Sequence, residues 1–148
     1  IFFRSHPSDY EMLISAVTVL GKWNVPLFLE VWGEVAPHDK LRLQFLMHSS
    51  LDILEEKVRA SGGQLDPFLG QLLADEDSRT FGYVTNNKIK LIIVTTADMQ
   101  DQSSLRRVFQ RLNDYVVVAI CNPFYTVDAP ISSKDFSSKV ESLCTSAE

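Results

Sequence analysis

The sequence predicts a single α+β domain in which helices pack on one antiparallel sheet. Short apolar and β-branched runs occur in two groups, a pair near the start and three in the middle, and segments with helical spacing follow each group. Runs of strands followed by helices favour an α+β arrangement over the strict alternation of a parallel sheet. The 148 residues, with a net charge of −5 and 45% apolar content, have the size and composition of one globular domain.

The first two strands are predicted at residues 13–20 and 25–32, as a hairpin that turns after Gly21. From His38 the apolar spacing changes to three and four, which indicates an amphipathic helix over residues 38–60, ended by Gly62 and Gly63. Residues 1–11 show neither a signal peptide nor a regular pattern. We expect them to be an N-terminal extension or expression remnant, followed by one domain over residues 12–148.

The next three strands are predicted at residues 68–74, 79–85 and 88–95. Asn86 and Asn87 suit a two-residue hairpin turn, and the apolar run 91–94 indicates that the last strand lies in the middle of the sheet. A second helix is expected up to Ile120, before Pro123, and a third after an N-cap at Ser132 or Ser133. The helical phases predict the core positions Leu46, Leu54, Phe109, Leu112 and Val116.

Charge and composition weigh against several classes of function. A net negative charge without a long Lys/Arg run argues against nucleic-acid binding. No apolar stretch approaches the roughly 20 residues of a membrane-spanning helix. Cys121 and Cys144 are too few for a disulfide framework or a structural zinc site, so a reducing, cytoplasmic location is expected.

His48, Ser49, Ser50 and Asp52 include the side-chain types of a hydrolase triad. All four lie on one predicted helix, where neither serine sits on a sharp turn beside oxyanion donors, so we predict no catalytic residue among them. The two serines are instead expected to be small so that the helix can approach the sheet. Asp52 lies between apolar residues and needs either a local partner or a role in recognition.

The remaining polar and thiol groups indicate no metal or cofactor site. Glu55 and Glu56 favour a solvated helix face, and residues 75–77 an acidic turn without calcium-loop spacing. Cys121 ends an apolar stripe and is expected to be a small buried side chain. The NPFY segment at 122–125 matches short signals read by endocytic adaptors, but its position between two helices favours a packed turn.

Several segments, taken in their order and spacing, resemble the sedlin family, whose members are small subunits of the TRAPP vesicle-tethering complexes. They are NVPLF at 24–28, HSSLD at 48–52 followed by Glu55 and Glu56, FGYVTN at 81–86, CNPFY at 121–125, PISS at 130–133 and Phe136. The resemblance spans about residues 15–143, and the segment 82–90 is more similar to the sedlin-like branch than to sedlin itself. Residues 1–11 have no counterpart, and the loop at 62–67 varies.

The resemblance implies a longin (profilin-like) fold: a five-stranded antiparallel sheet with one long helix on one face and two helices on the other. It implies a non-catalytic adaptor without cofactors in ER-to-Golgi and Golgi traffic, within an exchange factor for Rab-type GTPases. The implied partners are other TRAPP subunits and, indirectly, the GTPase, with a cytoplasmic, perinuclear location at ER and Golgi membranes that is peripheral and reached through the complex.

The resemblance also implies candidate interaction residues. An acidic residue in the first helix matters for partner contacts in this family, and Asp52 occupies that place, with His48, Glu55 and Glu56 forming a polar strip around it. Two alternatives stay open. A regulatory longin domain that binds SNAREs would need a heptad segment and a tail anchor, which the 148 residues do not contain, and a small hydrolase would use His48, Asp52 or Cys121.

Overall fold

Five strands form one antiparallel sheet in the computed structural model, in the order β2-β1-β5-β4-β3. Residues 14–32, 37–62, 66–96 and 102–146 are described, so the expectation for residues 1–11 lies outside them. The strands are β1 (Ile14–Leu20), β2 (Pro26–Val31), β3 (Phe68–Ala74), β4 (Ser78–Val84) and β5 (Lys90–Thr96). The helices are α1 (Pro37–Ser61), α2 (Gln102–Ile120) and α3 (Lys134–Ser146).

The last strand, β5, lies in the middle of the sheet, as its apolar run predicts. Ile93 pairs with Val17 of β1 on one side and with Phe81 of β4 on the other. Residues 90–95 are all buried because β5 is paired on both edges and covered on both faces.

Successive strand residues point to opposite faces, and each face is covered by different helices. On one face, Val17, Phe81 and Ile93 join the cluster that contains the buried residues of α2 and α3. On the other face, Ile92 and Val94 pack against α1. This is the longin-like α+β arrangement that the resemblance implies, and the predicted fold class is confirmed.

The five core positions predicted from helical phase are confirmed. Leu46 is 4% exposed, and Leu54, Phe109, Leu112 and Val116 are fully buried.

Small residues allow α1 to lie close to the sheet. Ser50 is buried and its hydroxyl lies 2.6 Å from that of Thr80 on β4. A Cβ at Gly82 would come within 2.7 Å of a methyl of Leu72 and 3.1 Å of a methyl of Leu54, so only glycine fits there without repacking. The expectation that Ser50 is small for helix approach is confirmed.

The β4–β5 turn differs from the predicted two-residue hairpin. The N–H of Thr85 donates to the carbonyl of Ile89, which leaves a three-residue loop, and the left-handed residue is Lys88 at φ 69°. A type I turn followed by a left-handed residue also matches the twist of a hairpin, and it does not require positive φ at either asparagine.

Candidate functional site

The outward face of α1 carries a stripe of four exposed residues, Leu41, Phe45, His48 and Asp52. Their spacing of four, three and four places them on one side of the helix. The side chains of Leu41 and Phe45 are 68% and 71% exposed, which is unusual for a pair of large apolar residues on adjacent turns. We call these four residues the α1 stripe.

The α1 stripe lies on the side of the helix opposite its buried residues. Leu43, Leu46, Met47, Ser50 and Leu54 face the sheet. Since an amphipathic helix exposes polar residues on its outer face, the two apolar side chains break the expected pattern at this surface.

Asp52 and His48 lie one turn apart and are both exposed. Among the described residues, no carboxylate–cation pair involves Asp52. Its carboxylate therefore remains available to a cation or an amide from outside the chain.

Glu55 lies beside the α1 stripe, but its carboxylate turns toward the β1–β2 turn. Oε2 of Glu55 accepts a hydrogen bond from the side-chain amide of Asn24 at 2.7 Å and lies 3.6 Å from Nζ of Lys90. The hydrogen bond from Asn24 lowers the pKa of Glu55; partial burial opposes the shift, and the charge of Lys90 adds to it. Glu55 thus holds α1 to the sheet while Asp52 faces away.

Glu56 is exposed and pairs with Arg59 three residues later, at 2.7 Å from Oε1 to Nη1. Both side chains are more than two-thirds exposed, so this pair contributes little to stability. Of the four residues in the predicted polar strip, His48 and Asp52 share the outward side of the helix, whereas Glu55 and Glu56 flank it on opposite sides.

The other flank of α1 is fixed to the far edge of the sheet. Arg42 pairs with Asp75 at 2.6 Å, next to the β3–β4 turn. Nζ of Lys57 donates to the carbonyls of Leu69 and Gln71 on β3, each at 3.3 Å. Together with the contacts of Glu55 on the opposite flank, these contacts hold the helix on both sides. Lys57 also occupies carbonyls that the edge strand β3 would otherwise expose.

The hydrolase alternative finds no support in the geometry of α1. The hydroxyl of Ser50 faces Thr80 inside the protein, while His48 is exposed on the outer side of the same helix. The two groups cannot reach a common substrate atom. Within the described ranges, no three His, Cys, Asp or Glu side chains come together as metal ligands.

The two cysteines differ, and one expectation is wrong. Cys121 is exposed, whereas Cys144 is buried, and burial raises the pKa of the Cys144 thiol to about 12. Ala119 and Ile120 are partly buried and continue the apolar stripe of α2 beyond Val116, so the next residue lies about 100° further around the helix, away from the core. Cys121 therefore points to solvent.

The NPFY segment is hydrogen-bonded, but only one of its aromatic side chains packs. The side chain of Asn122 accepts from the N–H of Phe124 at 2.9 Å, and Tyr125 donates its hydroxyl to the carbonyl of Ala129 at 2.6 Å. Tyr125 packs against the core, while Phe124 is 94% exposed. The segment borders a groove of about 470 Å³ between the end of α2 and the start of α3. The predicted turn is present, with one aromatic outside it.

Leu41 and Phe45 are the residues of this surface that the sequence reasoning did not single out. The signal was present, since both are out of phase with the buried stripe of α1 and in phase with Asp52.

In the parts of the chain that the structure describes, no helix is both long and apolar enough to cross a bilayer.

Comparison with known proteins agrees with the resemblance in the sequence. The model of the family described as Sedlin matches residues 19–146. This chain is similar to proteins called trafficking protein particle complex subunit 2-like protein. It is 39% identical to the one from Dictyostelium discoideum, 33% to the one from Xenopus tropicalis and 32% to the one from Bos taurus. The alignments cover 90%, 88% and 86% of this chain and 97%, 96% and 94% of those proteins. The sedlin-like resemblance is confirmed, and the chain belongs to the sedlin family.

Proposed function

We propose that this protein is a non-catalytic adaptor subunit of a TRAPP vesicle-tethering complex and that the α1 stripe contacts another TRAPP subunit. The observation that carries the proposal is the pairing of two exposed apolar side chains, Leu41 and Phe45, with an exposed acid, Asp52, on one side of a fixed helix. The relatives named as subunits of a trafficking protein particle complex supply the partner class.

The composition of the stripe suits a protein interface. Large apolar side chains supply most of the binding energy where a partner covers them fully, and surrounding polar groups set orientation. Phe45 lies between Leu41 and His48 and is the natural centre of such a contact. Asp52, two turns further along, then meets a cation or amide of the partner.

The flanking residues have supporting roles in this proposal. Glu55 fixes the helix through Asn24 and Lys90, so little further backbone freedom is lost when a partner binds the stripe. Glu56 and Arg59 lie at the exposed rim beyond Asp52. Charged residues at such a rim change the rate of association more than the affinity.

We further propose that the subunit acts in ER-to-Golgi and Golgi traffic by supporting the assembly of an exchange factor for Rab-type GTPases. The GTPase is then an indirect partner, and the protein is cytoplasmic, perinuclear and peripheral to ER and Golgi membranes through its complex. No cofactor enters this role.

Affinity purification of the tagged full-length chain from native cells tests the proposal. Recovery of TRAPP subunits in stoichiometric amounts is the expected result. Recovery of SNARE proteins without TRAPP subunits, or of the protein alone together with esterase activity, contradicts it. A Phe45→Ala variant should lose the TRAPP subunits while keeping the melting curve of the wild type, because Phe45 is exposed.

A further inference from the structure

Three chain connections converge at one end of the sheet. The β1–β2 turn, the β4–β5 turn and the loop between α2 and α3 line a small cavity of about 220 Å³, to which Lys22, Asn87 and Val127 contribute. The carboxylate of Asp128 lies 3.4 Å from the Cβ position of Gly21. The tips of these connections therefore share one surface, which we call the turn end.

The turn end exposes three large apolar side chains on two of the connections. Trp23 on the β1–β2 turn is 73% exposed, and Phe124 and Val127 on the α2–α3 loop are 94% and 81% exposed. Side chains this exposed protrude from the surface, even where Phe124 and Val127 border the neighbouring cavities. Such an arrangement suits insertion into a soft medium better than contact with a rigid, flat partner.

The backbone at these positions is fixed by hydrogen bonds. Asn24, next to Trp23, has a φ of 63° and accepts from the buried ammonium of Lys90 at 2.6 Å. The N–H of Phe124 is held by Asn122, and the loop closes through the hydroxyl of Tyr125 on the carbonyl of Ala129. The chain therefore presents Trp23 and Phe124 outward instead of folding them against the core.

Cations accompany the apolar side chains. Lys22 and Lys88 are exposed, and Nζ of Lys22 lies 5.1 Å from the centre of the Trp23 ring. Among the described residues neither ammonium is within 4 Å of a carboxylate, although the whole chain has a net charge of −5. Two acids lie near this surface: Asp128 faces Gly21, and the carboxylate of Glu55 is engaged by Asn24 and the ammonium of Lys90. The turn end thus has locally positive charge on an acidic protein.

We propose that the turn end binds directly to the surface of an anionic lipid bilayer. Tryptophan with an adjacent lysine is the combination that partitions into the headgroup region, where the ring is half-buried and the ammonium meets lipid phosphate or carboxylate. Phe124 and Val127 reach into the boundary of the acyl chains, and Lys88 adds a second contact with the anionic headgroups. The turn end shares no residue with the α1 stripe, so substitutions can test the two surfaces one at a time.

Fluorescence of Trp23 reports on this contact, because the chain has only two tryptophans and Trp32 is packed against the core. A Trp32→Phe variant of the full chain is titrated with phosphatidylcholine vesicles that contain phosphatidylserine. We expect a blue shift of the Trp23 emission and its quenching by lipids brominated on the acyl chains. If Trp32→Phe impairs folding, the difference between wild type and Trp23→Phe gives the same signal.

Vesicle cosedimentation with matched variants completes the test. A Trp23→Ala/Phe124→Ala double variant should bind at least about tenfold less, because two apolar side chains no longer leave water. A Lys22→Glu/Lys88→Glu double variant should also bind less, and raising the salt concentration should reproduce its effect. Phe45→Ala, an equally exposed aromatic on α1, should bind vesicles like the wild type.

The outcomes separate this inference from the proposed function. Absence of both the emission shift and cosedimentation overturns it, even if TRAPP subunits bind normally. If Trp23→Ala/Phe124→Ala keeps vesicle binding but loses a protein partner, the turn end is a protein interface and the inference is wrong. If Phe45→Ala loses the TRAPP subunits but still binds vesicles, the result supports both the proposed function and this inference.

Discussion

Nζ of Lys90 donates to Oδ1 of Asn24 at 2.6 Å and thereby joins the first residue of the central strand to the β1–β2 turn. The amide of Asn24 donates in turn to Glu55, so one buried lysine, one turn residue and one helix residue form a continuous network. Lys90 is only 8% exposed. A buried ammonium is tolerated because the network supplies both an acceptor and a counter-charge.

Replacing the ammonium of this network should destabilise the protein. Lys90→Met keeps the length of the side chain, but leaves Asn24 without a donor and Glu55 without its counter-charge. We expect a loss of about 1 to 3 kcal/mol in the free energy of unfolding, measured by denaturant titration. Lys88→Met, at an exposed position two residues before Lys90 in the β4–β5 turn, should change stability by less than about 0.5 kcal/mol. Equal stability of the two variants would show that the network contributes nothing.

The network should also make stability depend on pH. The pKa of Glu55 is lowered in the folded state from a usual value of 4.5, chiefly by the hydrogen bond from Asn24. Because the pKa is lower in the folded state, the carboxylate makes its full contribution to stability at pH values above the pKa of the unfolded state. This contribution is lost as the pH falls through the pKa of the folded state. Glu55→Gln should therefore be less stable than wild type near neutral pH, and the difference should shrink toward zero in acid. A difference that stays constant across a pH series of urea melts would contradict this.

The buried hydroxyl pair between α1 and the sheet should show coupling. Ser50→Ala and Thr80→Val each leave the other hydroxyl with one partner fewer, and should cost about 1 to 3 kcal/mol. Since the double variant leaves no hydroxyl behind at this contact, it should cost less than the sum of the single changes, by about 1 kcal/mol in a double-mutant cycle. Simple additivity would mean that the 2.6 Å contact is not a significant hydrogen bond.

The parts of the fold that sequence could predict are those governed by local periodicity. The buried positions of α2 follow a spacing of three and four, and the apolar run of β5 requires a central strand; both follow from patterns within one segment. The burial of Lys90 could not be predicted, because its acceptor Asn24 lies 66 residues away in the chain. The error at Cys121 has a similar origin, since an apolar stripe does not show at which residue its last member turns to solvent.

The candidate site also contains residues that the sequence can single out and residues that only the tertiary structure reveals. Asp52 was accessible to sequence reasoning because an acid among apolar residues on a helix stands out. Leu41 and Phe45 did not stand out, since exposed and buried leucines or phenylalanines look alike until the face of the helix that contacts the sheet is known. The turn of Glu55 toward Asn24 depends on tertiary placement, which a single helical pattern does not contain.

The most direct test of the proposed function measures stability and TRAPP-subunit binding on the same preparation of Asp52→Ala, with Asp114→Ala, an exposed acid on α2, as its control. Asp52→Ala should keep the free energy of unfolding within about 1 kcal/mol and weaken binding by about 2 kcal/mol, or roughly thirtyfold, since a charge-assisted contact is lost and its partner stays unpaired. Asp114→Ala should change neither quantity. Unchanged binding by well-folded Asp52→Ala protein would contradict the proposal and remove Asp52 from the interface.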